Sequence, residues 1–276
     1  MDPIHSLSFL LMKKFLKNTL KKFDIKIIHK KGWDYRVMKT NRFPTNCRVG
    51  SGSKLAHFLS YDPDDSIQLF HLRGEYYEQA DLQLIAKYYR PGTFVDIGAN
   101  VGNHAIFLAK TFPDRKIVCF EPHPRTYGYL YINIIENGLF ERIMPTRAAL
   151  SDRAGTGTIQ TPTNNIGGSY LGNTNRCFQD EIVERWTCEL QIGDEALSST
   201  QDISFIKIDV EGHERECLSG LCKTIARWRP SVFVEVDNNT KEFVTQYFNE
   251  INYQLKEVTV QYHGLQNFLF LPKELW

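Results

Sequence analysis

The sequence predicts an α/β fold around a mostly parallel sheet, and three observations carry that prediction. After Pro91-Gly92, short apolar β-rich runs alternate with helical stretches, a pattern that needs right-handed crossovers and parallel pairing. Residues 93–123 form one complete unit: Thr-Phe-Val-Asp-Ile, a glycine turn, a helical run, then Lys-Ile-Val-Cys-Phe-Glu ending in a carboxylate. The last two strands, near 253–260 and 267–271, are joined by a short turn that includes Gln261-Tyr262-His263-Gly264. That turn cannot house a crossover helix, so the final pair is antiparallel.

In chain order, the periodicity predicts a helix from Glu75 to Tyr89, a strand at 93–97, a helix at 102–112, a strand at 116–121, a helix at 124–136 and a strand at 143–149. The pattern then breaks. Residues 151–202 are rich in Gly, Asn, Thr and Ser, include Asn164-Asn165-Ile166-Gly167-Gly168-Ser169, and carry one plausible short strand, Thr158 to Thr161. A long polar insertion at the carboxyl edge of a sheet is expected to act as a lid or substrate loop, or else to be a hairpin excursion. Alternation resumes with a strand from Ile203 to Asp209, a helix at 213–226, a strand from Ser231 to Val236 and a helix near 240–249. The expected organisation is an extension at 1–74, helical at its start, followed by one catalytic domain at 75–276.

Bulk composition narrows the function classes. The chain has 276 residues, net charge +1 and pI of about 7.6, so no global field draws nucleic acid. Six cysteines (Cys47, Cys119, Cys177, Cys188, Cys217, Cys222) lack zinc-type spacing, which reads as reduced and intracellular. The longest early apolar run, Leu7 to Met12, is too short to span a bilayer. The expectation is a cytoplasmic protein. Residues 1–31 nevertheless carry eight lysines against Asp2 and Asp24, a net of +6, which leaves −5 for the rest of the +1 chain. Ile4, Leu7, Leu11 and Phe15 share one helical face with lysines around it, so this start either packs on the domain or lies on an anionic membrane surface.

The glycine turn points to a cofactor that carries adenosine. Asp96 closes the first strand, Gly98 and Gly102 free the turn of Cβ atoms, and Glu121 ends the second strand where a ribose would present its hydroxyls. A dinucleotide enzyme has three glycines spaced G-x-G-x-x-G; here Gly98, Asn100 and Asn103 hold those places. Asn100 puts a side chain where a diphosphate must sit, so a phosphate-free adenosine cofactor, S-adenosylmethionine, fits better. Its expected contacts are Asp96 at the amino-acid end, Gly98, Ala99, Asn100 and Gly102 in the turn, and Glu121 with Pro122 at the ribose. Ser151 and Asp152, after the third strand, are expected near the adenine edge. A strand-end carboxylate that caps its own turn is the plainer reading of Asp96 and Glu121.

The chemical step is expected at the end of strand 203–209. Asp209-Val210-Glu211-Gly212-His213-Glu214 places four titratable groups within six residues at a carboxyl edge, where open α/β sheets build their sites. Methyl transfer to an alcohol needs positioning and a base, which Asp209, Glu211 or His213 would supply. Glu211 and Glu214 could instead cap the helix N-terminus. No metal site is assigned, although Asp209, Glu235 and Asp237 present oxygen ligands of the kind magnesium takes.

Taken in order, Asp96-Ile97-Gly98-Ala99-Asn100-Val101-Gly102, Phe120-Glu121-Pro122, Ala149-Leu150-Ser151, Lys207-Ile208-Asp209-Val210-Glu211-Gly212-His213-Glu214 and Asn267-Phe268-Leu269-Phe270-Leu271-Pro272 resemble the FkbM-type methyltransferases over roughly residues 75–272. The resemblance implies a Rossmann-like class I methyltransferase fold, whose seven-stranded sheet has an antiparallel last strand. It also implies S-adenosylmethionine-dependent O-methylation, with hydroxyls of sugars, glycans or polyketide-type products as acceptors. The expected substrate is a sugar or glycan. An oxidoreductase with a Tyr-x-x-x-Lys pair is the rival, but that spacing occurs at Tyr35 and Lys39, far before the turn.

Overall fold

The computed structural model describes residues 44–60, 65–162, 166–172, 182–260 and 264–275. The basic start at 1–31 and the turn residues Gln261 to His263 lie outside them.

The centre is a seven-stranded sheet of β3 (Thr93–Ile97), β4 (Ile117–Phe120), β5 (Ile143–Thr146), β10 (Ile203–Ile208), β11 (Ser231–Val236), β12 (Tyr253–Val260) and β13 (Gln266–Pro272), in spatial order β12-β13-β11-β10-β3-β4-β5. The inner pairs β10/β11, β10/β3, β3/β4 and β4/β5 are parallel, and β13 runs antiparallel between β11 and β12. The class I methyltransferase architecture expected from the sequence is therefore present. Every residue of β3, β10 and β11 is buried, as a parallel sheet covered on both faces requires. Phe94, Cys119, Phe205 and Phe233 face one core with Leu82, Ile85 and Ile106. Val95, Ile97, Ile206 and Val234 face the other with Leu218, Ile225 and Phe248.

The helices are α1 (Ser66–Leu72), α2 (Gln79–Tyr88), α3 (Asn103–Thr111), α4 (Pro124–Glu136), α5 (Gly193–Ala196), α6 (Glu214–Gly220), α7 (Cys222–Trp228) and α8 (Lys241–Glu250). Within 32–74 the sequence assigns no element, yet an antiparallel hairpin forms from β1 (Thr45–Val49) and β2 (Ala56–Ser60). Its Val49, Ala56 and Phe58 sit in the same core as α2 and α3. The single helix expected at 213–226 is two, broken at Leu221. Just before the break the backbones come close: a Cβ on Gly220 would lie 1.9 Å from the Ser151 carbonyl oxygen, so residue 220 has to be glycine.

The strand expected at 143–149 also divides. β5 is the edge strand of the main sheet and contains Pro145, which has no N–H for a further ladder partner. The chain then leaves the edge and starts β6 (Ala149–Ser151) in a second sheet of order β6-β9-β7-β8, with β7 (Gly155–Pro162), β8 (Tyr170–Leu171) and β9 (Ile182–Ile192). The insertion thus supplies a four-stranded wall, with Ala149, Ile159, Leu171, Cys188 and Leu190 as its own small core. Arg125 at the start of α4 ion-pairs with Glu184 of β9, which ties that wall to the main domain.

Candidate active site

The turn after β3 is shaped by one close contact. A Cβ on Gly98 would fall 1.7 Å from the Asp209 carbonyl oxygen, so the ends of β3 and β10 meet only because residue 98 is glycine. The backbone is left-handed at Gly98 (φ 79), Asn100 (φ 51) and Gly102 (φ 93); asparagine tolerates this better than most side chains. The N–H groups of Gly98 and Ala99 both donate to the Phe120 carbonyl (2.9 and 3.0 Å), that of Gly102 to Ala99 (2.9 Å), and that of Asn100 to Glu121 Oε2 (2.8 Å). Four donors that a phosphate would need are consumed inside the protein.

Glu121 is buried at the rim of a cleft between the ends of β3 and β4 and the second sheet. Its Oε1 accepts from the His123 N–H and the Thr126 hydroxyl, both at 2.8 Å. Burial raises its pKa, while bonds from Thr126, His123 and Asn100 pull the other way. A carboxylate has roughly four acceptor positions, so these three bonds leave about one for a ligand, where the sequence reading assigned it two ribose hydroxyls. His123 is held neutral, its pKa pushed down to about 4 by burial and Arg125. Its Nδ1 accepts from the Arg125 N–H (3.2 Å), so Nε2 carries the proton given to Thr161 Oγ1 (3.1 Å). Opposite, Ala149, Leu150, Ile159, Ile166 and Leu171 give the cleft an apolar wall, suited to a flat heteroaromatic ring.

A second cleft of similar size adjoins the first and shares Gly98, Asn100, Gly167, Asp209 and Glu211 with it. Its lining is acidic: Asp65, Glu78, Asp209, Glu211 and Glu235 face Lys207 and His104. Lys207 is 3% exposed; its Nζ lies 3.1 Å from Asp209 Oδ2, 3.6 Å from Asp96 Oδ1 and 3.4 Å from the Gly98 carbonyl. Burial favours the neutral amine, but Asp209, Asp96 and Glu78 outweigh it and keep Lys207 charged. Glu78 enters this cleft from the N-cap of α2 in a left-handed conformation (φ 55, ψ 46), a strain on the order of 1 kcal/mol. Asn103 holds the segment in place. Its Oδ1 accepts from the Tyr77 N–H (3.0 Å) and its Nδ2 donates to the Tyr77 carbonyl (2.9 Å). Carboxylate oxygens of Asp209, Glu211 and Glu235 lie within 4.8 Å of one another and could hold a cation. Asp237 is not in that set, because its Oδ1 caps α8 through the N–H groups of Asn239 and Thr240.

The segment that carries this geometry, residues 96–262, matches the family model of the methyltransferase FkbM domain. The chain belongs to the FkbM methyltransferase family. Among curated relatives, the methyltransferase sdnD of Sordaria araneosa is 27% identical, with 50% of this chain and 66% of the relative covered. The hexuronic acid methyltransferase AglP of Haloferax volcanii is 23% identical over 70% of this chain and 75% of its own. The solved structure of a methyltransferase FkbM from Methylobacillus flagellatus is 16% identical, with a TM-score of 0.47, over 74% of this chain and 52% of that one. The chain therefore spans under two thirds of sdnD and about half of the solved FkbM protein. Asp65, Tyr77 and Glu78 lie before the matched FkbM segment.

The residues singled out from the sequence separate by place. Gly98, Ala99, Asn100, Glu121 and Pro122 line the clefts, and Asp209 and Glu211 line both. His213 lines only the first, where Nε2 meets Ser151 Oγ at 3.1 Å and Nδ1 lies 3.5 Å from Glu216; its pKa is lowered, chiefly by burial. Gly102, Ser151 and Asp152 line neither cleft; Gly102 is the N-cap of α3, and Ser151 Oγ donates to Asp152. Asp96 also lines neither. It is 0% exposed behind Lys207, whose Nζ lies 3.6 Å from its Oδ1, whereas the sequence placed it at the cofactor's amino-acid end, directly or through water. Glu214 opens α6 and its Oε1 accepts from the Gly212 N–H (3.0 Å) in the turn before the helix, while the helix N-terminus has no side-chain cap bond. Lys207, Glu78 and Asn103 were missed as site residues. A lysine inside the otherwise apolar run of β10 was the signal for the first; no sequence signal marked Glu78.

Proposed function

We propose that this protein is an S-adenosylmethionine-dependent O-methyltransferase that methylates a hydroxyl of a sugar or glycan. The observation that carries the reading is the junction of two unlike clefts at Gly98, Asn100, Asp209 and Glu211. One is apolar with a buried carboxylate for a ribose; the other is anionic. The cofactor's own chemistry is an electrophilic methyl on a sulfonium that leaves as a neutral thioether. Glu121 would hold the ribose, and Pro122, Leu150 and Ile166 would exclude water from the adenine. The carboxylates of the second cleft favour a cation there. Their excess disfavours an anionic acceptor, so the uronate named for AglP is less suited than a neutral sugar hydroxyl. Positioning of that hydroxyl falls to Asp209 and Glu211, at the boundary a methyl group has to cross.

Calorimetric titration with S-adenosylmethionine and NAD in parallel tests the cofactor. Tighter binding of NAD would sink the reading. Asp209→Asn is expected to abolish transfer while cofactor affinity stays within a few-fold.

A further inference from the structure

We propose that Glu78 is the base that takes the proton of the acceptor hydroxyl, with His104 as the partner of the carboxyl once protonated. This rests on the O-methyl-transfer reading above. Glu78 lines the anionic cleft, precedes the segment shared with the family, and is held there by the Asn103 clamp on Tyr77. Of the non-glycine residues with positive φ, three line this one cleft: Glu78, Asn100 and Glu211. Strained backbone concentrates where a fold positions working groups. Asp209 is less suited, since taking a proton would cost it the 3.1 Å ion pair with Lys207.

His104 supplies the independent observation. It is 6% exposed, lines the same cleft, and its Nε2 has no hydrogen-bond partner; Glu78 Oε2 is 3.6 Å away. Burial and the Lys207 charge hold the imidazole neutral. A buried ring nitrogen without a partner calls for an explanation, and a protonated Glu78 provides one by donating to it. The groups that face Glu78 are His104 from α3, Lys207 and Asp209 from β10 and the turn after it, Glu235 from β11, Asp81 from its own helix, and Asp65 and Glu211 across the cleft. Burial first, then the Asp209 charge, push the Glu78 pKa up to about 8 against the pull of Lys207. At neutral pH the free protein holds the proton, and a sulfonium in the cleft would expel it. In turnover the acceptor O–H breaks and its proton passes to Glu78. The oxygen's electron pair forms the new O–CH3 bond, the C–S pair returns to sulfur, and Glu78 releases the proton to solvent.

The test is calorimetric titration of the full chain with S-adenosylmethionine at pH 7, in buffers of differing ionisation enthalpy, which counts the protons released. The wild type should release roughly half a proton or more, Glu78→Gln none, and Glu78→Asp should restore release. Circular dichroism checks the fold of each variant. Turnover on a panel of neutral methyl glycosides should fall by about 100-fold or more in Glu78→Gln, with the cofactor KM within about three-fold. Wild-type binding without proton release, or the same release from Glu78→Gln, overturns the proposal. Absence of S-adenosylmethionine binding would overturn the cofactor reading instead.

Discussion

Lys207→Met removes the ammonium that faces Asp96 and Asp209, and its cost can be worked from their surroundings. Asp96 is 0% exposed, whereas the Asp209 side chain is 31% exposed, so water recovers part of the second charge but none of the first. The loss therefore approximates one broken buried pair, about 3 kcal/mol, the lower end of the range for such deletions. In a chain of this size each kcal/mol moves Tm by roughly 2–4 °C, so a drop of about 6–12 °C is expected.

The pH dependence has a definite sign. Burial raises the Asp96 pKa above the ordinary 3.8, with Lys207 opposing and Asp209 adding. A carboxyl raised in the folded state contributes stability that is fully present below its unfolded value and is lost as pH rises through the folded one. Without Lys207 the folded value rises further. The deficit of Lys207→Met should thus be larger near pH 8 than near pH 5, roughly the limits of safe measurement. Circular dichroism melts at both pH values decide it, with Asp96→Asn/Lys207→Met expected to recover most of the loss. A Tm within about 2 °C of wild type near pH 8, less than 1 kcal/mol on that scale, would refute the reasoning, as would a deficit that grows on acidification.

Gly98→Ala should leave little folded protein, because its Cβ would stand 1.7 Å from the Asp209 carbonyl at a φ of 79°; soluble yield and a urea melt measure this. Glu121→Gln keeps the shape but loses the charge of the ribose acceptor, so S-adenosylmethionine affinity by calorimetry should fall roughly 10- to 100-fold, the span of a charged hydrogen bond. Excess EDTA should leave turnover within about two-fold, because Lys207 already compensates Asp209 and a shared divalent ion would meet its charge at short range. A magnesium requirement would instead assign Asp209, Glu211 and Glu235 as its ligands.

The parts of the fold that were legible in the sequence are those that a single strand or helix decides for itself. The continuous apolar runs of β3, β10 and β11 announce a sheet covered on both faces, and the short turn after β12 forces an antiparallel partner. What escaped was set by contacts between distant segments. Gly220, next to the break at Leu221, abuts the Ser151 carbonyl, 69 positions away in the chain by their numbers. β9 buries Cys188 and Leu190 in alternation with exposed Thr187 and Glu189, but the polar composition around it hid the alternation. The site divides in the same way. Glu121 and Asp209 were visible because carboxylates at strand ends are local facts; Glu78 depends on the Asn103 clamp on Tyr77, a bond between positions 26 apart.

That clamp also shows why the third place of the glycine pattern is asparagine. A glycine at 103 could let the helix approach its strand, but it could not hold the backbone of residue 77 from both sides. Asn100 acts in the same direction, since its left-handed backbone aims an N–H at Glu121 rather than outward. Each departure from the dinucleotide pattern therefore turns a phosphate-binding opportunity into an internal bond beside an acid: Asn100 bonds Glu121, and Asn103 clamps Tyr77 next to Glu78. On this argument Asn103→Gly would not convert the site toward NAD. It would lower transfer through Glu78 while leaving the cofactor cleft intact, so S-adenosylmethionine affinity within about three-fold of wild type, less than 1 kcal/mol, should accompany a large loss of kcat. Equal losses of both would place Asn103 in the cofactor cleft and break the assignment.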